Sequence, residues 1–136
     1  MQYLGSNYPS IAVQRSFKAQ HAVTIGGVEE LLHEHDWHVQ VEVAGALDAE
    51  GLLIDFHLLE SVLDEVLAPF KDNAFNGTPP FDEWNPSAEN IARHVINTIV
   101  HEALPEEARR RIDVGRAIVE EAPGCHATYY SERIQA

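Results

Sequence analysis

The chain has 136 residues, 45% of them apolar, which is enough for one packed domain and too few for two. Nine Lys and Arg against 22 Asp and Glu give a net charge of −13, a field that repels a phosphate backbone and argues against nucleic acid as a partner. No apolar run approaches the roughly 20 residues of a membrane helix, and the first ten residues lack the basic-then-apolar order of a secretory leader, so a cytoplasmic protein without a membrane partner is expected.

From Ile11 to His21 the odd positions carry Ile11, Val13, Phe17 and Ala19 while the even ones are mostly polar, which predicts a half-buried strand whose inner face His21 closes. Ala22 to Leu32, with Gly26-Gly27 and Glu29-Glu30, reads as a loop. A second alternation from about His35 to Gly45 sets Trp37, Val39, Val41 and Val43 on one side, and His33 and His35 share their parity. Asp55 is placed to cap a helix in which Leu58, Leu59, Val62, Leu63, Val66 and Leu67 recur at three-and-four spacing until Pro69. Lys71 to Trp84, rich in Asn, Gly and Pro, reads as a long surface loop. Asn85-Pro86 offers a cap and a first-turn proline for a second helix carrying Ala88, Ile91, Ala92, Val95, Ile96, Ile99 and Val100 on its buried stripe. After a short helical turn from Pro105, strands are predicted at Asp113 to Glu121 and His126 to Arg133, joined by Ala122-Pro123-Gly124. The order is β-β-α-α-β-β in one α+β domain.

Cys125 is the sole cysteine, so an intrachain disulfide and a thiolate-rich metal site are both excluded. Histidine is abundant, with eight copies, four of them between positions 33 and 57. Alternate residues of a strand share a face, so His33 and His35 can reach one ion, and His21 on the neighbouring strand can supply a third nitrogen. Three imidazoles leave one coordination place open, as catalytic zinc requires. The competing reading is that these are ordinary polar residues satisfied at strand ends.

Phe17-x-x-x-His21, Leu32-His33-Glu34-His35-Asp36-Trp37, Gly51-Leu52-Leu53-Ile54-Asp55-Phe56, Asn85-Pro86-Ser87-Ala88-Glu89-Asn90-Ile91-Ala92, and Val119-Glu120-Glu121 with Tyr129 follow one another at fixed spacings. Together they resemble the ordered motifs of the 6-pyruvoyl-tetrahydropterin synthase and 6-carboxy-tetrahydropterin synthase family, over about residues 11 to 130. The resemblance implies a tunnelling fold across 1–136: a four-stranded antiparallel sheet with two helices on one face, assembled edge to edge into trimeric or hexameric barrels, which hides sheet edges. It further implies Zn2+ held by His21, His33 and His35, and a pterin anchored by Glu121, whose carboxylate suits the ring's paired N–H donors. The implied substrate is 7,8-dihydroneopterin triphosphate, with the zinc acting as a Lewis acid. The implied product is 6-carboxy-tetrahydropterin, on the route to queuosine and other deazapurines, or 6-pyruvoyl-tetrahydropterin.

The sequence departs from the family pattern at three places. Where the family has a proton-abstracting cysteine four residues before its His-Gly-His pair, this chain has Glu29, with Glu30 adjacent; members with glutamate there cleave the side chain to 6-hydroxymethyl-dihydropterin. Carboxylates are weaker bases than thiolates by about four pKa units, roughly 5.7 kcal/mol. The family's Asp-His relay reads Asp72-Asn73, and asparagine cannot shuttle a proton, which leaves His94, His101 or His126 as substitutes. Glu34 replaces the glycine between the two histidines, and Arg15, Lys18, Arg93 and Arg116 are the cations available to a triphosphate. Two readings follow: a zinc-dependent pterin lyase using Glu29 or Glu30 with Asp72, and a relative that binds an altered substrate, or a pterin, without catalysis.

Overall fold

Alternating burial organises the sheet. The computed structural model describes residues 8–132, and within them the first predicted strand is β1 (Ser10–His21), with Phe17, Ala19 and His21 buried and the residues between them exposed. After a small hairpin, β2 (Thr24–Ile25) and β3 (Val28–Glu29), comes β4 (His33–Gly45), whose Trp37, Val39, Val41 and Val43 are fully buried. The hairpin lies where a plain loop is predicted. Its turn is Gly26-Gly27, both at positive φ, the conformation a two-residue hairpin connection demands.

Helix α1 (Phe56–Leu67) starts where predicted, with the Asp55 carboxylate accepting the His57 amide, and buries Leu59, Val62, Leu63, Val66 and Leu67. Helix α2 (Ala88–Thr98) is capped by Ser87, whose hydroxyl accepts the Asn90 amide, and not by Asn85. A wider turn, Ile99–Ala103, continues α2 and keeps Ile99 and Val100 in the core. The short α3 (Glu106–Arg111) precedes β5 (Ile112–Ala122), and β6 (Cys125–Glu132) ends the described chain, so Arg133 of the predicted last strand lies outside it.

The four long strands form an antiparallel sheet in the order β1-β4-β5-β6. Helix α1 packs on β1, and α2 packs on β5 and β6. The core between these layers runs from Phe17, Trp37 and Val119 through Leu59, Leu63, Ile91 and Ile96. This is the predicted α+β architecture.

The segment Lys71 to Trp84 is a long loop, as its composition predicts, but one anchored in the core. Phe75 and Phe81 are buried, and Phe75 stacks on Phe70 with ring centroids 4.7 Å apart. The segment also zips onto the outer edge of β1: the Asp72 amide donates to Lys18, Gln20 donates to Asn73, and Phe75 donates to Gln20, at 2.7–2.9 Å. An edge strand leaves unpaired backbone groups, and these bonds satisfy them along the half of β1 that ends in His21.

Gly45 marks the register shift between β4 and β5, and a Cβ there would stand 1.7 Å from the Arg111 carbonyl oxygen, which accepts the Ala46 amide. At Gly115 a Cβ would instead meet side-chain ends, Ile96 Cδ1 at 2.8 Å and Val100 Cγ1 at 2.9 Å. Backbone cannot turn aside as a side chain can, so Gly45→Ala should cost about 3 kcal/mol and Gly115→Ala about 1 kcal/mol. Urea midpoints ranking the two variants in the opposite order would contradict this account of the bulge.

Candidate metal centre

Register decides which side chains meet. Pairing β1 with β4 sets Phe17 opposite Trp37, Ala19 opposite His35 and His21 opposite His33. The apolar face therefore runs through Trp37 and ends in three imidazoles. Their ring centroids are 4.7 Å (His21 to His33), 5.0 Å (His21 to His35) and 4.7 Å (His33 to His35) apart, at interplanar angles of 70–84°. The Trp37 ring stands edge-on beneath His21 at 4.9 Å, with its indole N–H held by the Ala19 carbonyl at 3.0 Å.

Each of two rings is oriented through its far nitrogen. His21 Nδ1 donates to the Pro86 carbonyl and His33 Nδ1 to the Leu31 carbonyl, both at 2.8 Å. A carbonyl only accepts, so Nδ1 carries a proton in both rings, and in the neutral ring that leaves on Nε2 the lone pair a metal ligand needs. His21 is completely buried, and its Nε2 and that of His35 are buried without a hydrogen-bond partner. Burial holds the His35 imidazole below its usual 6.5, helped by His21 and His33 and opposed by the carboxylates of Glu121 and Glu30. Buried and without a hydrogen-bond partner, these nitrogens fit a borderline-soft cation such as zinc.

Glu121 completes the group. One of its carboxylate oxygens lies 2.7 Å from His21 Nε2 and 3.4 Å from His35 Nε2, yet neither approach has hydrogen-bond alignment. Oxygen and nitrogens point toward a common place instead of at one another. One donor atom from each of His21, His33, His35 and Glu121 lies within 4.8 Å of all the others. Glu121 reaches there because it is the extra residue of a bulge: Glu120 pairs with His126, and Ala122 already pairs with Cys125. Bulges re-aim side chains in this way.

The two acids proposed from spacing separate. Glu29 is an exposed residue of β3, paired across the hairpin with Thr24. The Glu30 carboxylate folds back to accept the Val23 amide at 3.0 Å and is close enough for His35 to feel its charge. Asp72 is exposed, at a left-handed φ of 59°, and belongs to the β1 zipper and not to the histidine group. None of the histidines considered as substitutes joins the group. His94 lies against Phe70 and Phe81, His101 contacts Ser131, and His126 contacts Glu120.

Sequence reasoning missed the supports. Asn76 clamps both backbone groups of Ala22 at 2.8 Å, and Asn85 both of Thr24 at 2.9 Å, so each amide acts as a one-residue strand partner just after His21. Only the density of asparagines in a loop could have hinted at this.

A family model described as 6-pyruvoyl tetrahydropterin synthase matches residues 10–132. A protein of Archaeoglobus fulgidus, provisionally named 6-carboxy-5,6,7,8-tetrahydropterin synthase, is 27% identical over 94 residues, 69% of this chain and 78% of that one. Among solved structures, 6-pyruvoyl tetrahydropterin synthase from Plasmodium vivax superposes with a TM-score of 0.79 at 17% identity, covering 94% of this chain and 100% of that one. The Caenorhabditis elegans protein gives 0.77 at 16%, covering 92% and 96%. Two further Plasmodium vivax structures, with TM-scores of 0.77, carry replacements of a catalytic glutamate by alanine or cysteine.

Four protein donors would close a zinc site, whereas three leave it open for substrate, so the role of Glu121 is decisive. Dialysis against zinc should leave about one ion per chain. His33→Ala should weaken binding beyond the 10- to 100-fold typical of outer-sphere changes, and Glu121→Gln should weaken it less than about tenfold. Loss of zinc from Glu121→Gln equal to that from His33→Ala would make Glu121 a ligand and the site closed.

Proposed function

The chain belongs to the 6-pyruvoyl tetrahydropterin synthase family, and we propose that residues 1–136 form one domain acting as a zinc-dependent carbon–oxygen or carbon–carbon lyase on the side chain of a reduced pterin. The observation that carries this reading is the convergence of buried, unpaired His21 and His35 nitrogens with His33 and Glu121. Such atoms cost free energy in a folded chain unless something binds them. A homo-oligomer sharing sheet edges, in trimers or hexamers, belongs to the same reading, as does a cytoplasmic setting.

When bound by His21, His33 and His35, zinc supplies a Lewis acid that acidifies the substrate's hydroxyl and neighbouring C–H protons. Glu121 then accepts the pterin's amino and amide N–H groups and fixes the side chain over the histidines. Both acids are exposed, and Glu30 is the one we assign as general base, because the Val23 amide holds its carboxylate where His35 feels its charge, whereas Glu29 pairs across the hairpin with Thr24. The catalytic glutamate of the Plasmodium vivax relative supports a carboxylate in this role. Asp72 acts at most through solvent.

A carboxylate is the weaker base by about four pKa units than the thiolate it replaces. The proton it removes most readily is therefore an acidified O–H and not a C–H. That preference favours side-chain cleavage to 6-hydroxymethyl-dihydropterin over the rearrangements giving 6-carboxy- or 6-pyruvoyl-tetrahydropterin from 7,8-dihydroneopterin triphosphate.

Zinc-loaded protein incubated with 7,8-dihydroneopterin or its triphosphate should form a new pterin, resolved by chromatography. Glu30→Gln should lower kcat by about 100-fold or more, as general bases contribute on that scale, with Glu29→Gln and Asp72→Asn within about threefold. The reverse ranking of Glu29 and Glu30 would move the base, and tight binding with no turnover of either compound would leave a pterin-binding protein.

A further inference from the structure

We infer that the side chain accepted by this site is uncharged: the substrate class is a dihydropterin bearing a free polyol, not its triphosphate ester. The inference rests on the pterin reading above and concerns the far end of the same substrate.

A triphosphate needs cations, preferably guanidinium forks, within reach of the metal centre. Between Lys18 and Lys71 the chain has no lysine or arginine, and between Arg116 and Arg133 there is none either. These two stretches hold His21, His33, His35 and Glu121. The charges that adjoin the centre are acidic: Glu30, whose charge reaches His35, and Glu29 beside it on the hairpin, while Glu34 and Asp36 turn to the other face of β4.

The four cations considered from sequence are already engaged elsewhere. Arg15 spans to α1, with Nη1 3.0 Å from Glu60 and Nε 2.8 Å from Asp64. Arg116 pairs with Glu42 across β4 and β5. The Arg93 guanidinium covers the Trp84 ring, 4.2 Å from its centre. Lys18 sits 3.7 Å from Asp36 on the opposite parity of β1 from His21. Of the others, Arg109 donates to the His101 carbonyl, Arg111 to the Leu53 carbonyl, and Lys71 lines the cleft between β1 and α1 beside Arg15 and Asp64. Arg110 pairs with Glu106 along α3, and Arg133 lies outside the described residues.

An uncharged side chain has no triphosphate to expel. The reaction left to it is carbon–carbon cleavage. The base takes the proton of the C2′ hydroxyl, the C1′–C2′ bond breaks, and its electron pair passes into the ring's C6=N5 double bond. A two-carbon hydroxyaldehyde leaves, and C1′ regains a proton, giving 6-hydroxymethyl-dihydropterin. Atoms and electrons balance without an oxidant or a second substrate.

The test is fluorescence titration of the zinc-loaded full chain with neopterin and with neopterin triphosphate, at about 20 mM and about 200 mM NaCl. Screening shortens the reach of exposed charges over this range. Neopterin should bind at least as tightly as its triphosphate at low salt, and added salt should improve the triphosphate relative to neopterin. A triphosphate that binds tighter at low salt and loses that advantage with salt would overturn the inference and leave the lyase reading intact. Failure of both compounds to bind would sink the pterin reading itself. In the same preparation 7,8-dihydroneopterin should release the two-carbon aldehyde in proportion to 6-hydroxymethyl-dihydropterin; preference for the uncharged analogue without that aldehyde would overturn the cleavage step.

Discussion

Pairing between β1 and β4 governs everything else in this molecule. With a period of two, a strand that buries Phe17 and Ala19 must also turn His21 inward, and the register that sets Phe17 against Trp37 must set His21 against His33. A slip of one residue between the strands would turn His21 to the face opposite His33 and His35 and break up the cluster. The histidine cluster is therefore the continuation of the hydrophobic face past the point where apolar residues stop, and the packing that stabilises the sheet also positions its three rings.

Inward-facing histidines alone do not make a site, because imidazole rings rotate and exchange tautomers. Here the carbonyls of Pro86 and Leu31 fix the rings of His21 and His33, and the segments bearing those carbonyls are themselves held. Pro86 lies between Asn85, which clamps Thr24, and Ser87, which caps α2. The helix start, the strand end and the ring orientation are thus one hydrogen-bonded unit. The zipper of residues 72–75 along β1 adds rigidity on the outer side. Preorganisation of this kind means that little conformational freedom remains to be lost when a cation binds.

The parts legible in the sequence are those with a period. Strand parity located the inner face of β1 and β4 and the three histidines on it, and the three-and-four spacing located both helices. What escaped has no period. Asn85-Pro86 fits the usual sequence signal for a helix start, yet Ser87 provides the cap because Asn85 is spent on Thr24. Phe75 and Phe81 are buried inside a segment whose Asn, Gly and Pro content reads as surface, since two aromatic rings can anchor a chain that has no regular structure of its own. The bulge at Glu121 was equally invisible: in an unbroken ladder Glu121 is simply the next residue of the inner face, and only pairing with β6 reveals that it is displaced toward the histidines. Spacing singled out Glu29, while the backbone after the hairpin brings Glu30 to the Val23 amide.

Charge distribution then links the fold to the chemistry. With its imidazoles in the neutral form that binds metals, the cluster of His21, His33, His35 and Glu121 carries one formal negative charge, and Glu29 and Glu30 on the adjoining hairpin add to it. The same field that draws a dication inward opposes a polyanionic substrate tail, unless arginines are spent to cancel it. In this chain the arginines are spent on structure: Arg15 fastens α1 to β1, Arg116 fastens β4 to β5, and Arg111 fastens α3 to the Leu53 carbonyl. Releasing any of them for a ligand would undo a contact that ties two elements together. A site that is rich in carboxylate and poor in free cations is consistent in both respects with removing a proton from a neutral hydroxylated side chain held beside a metal ion.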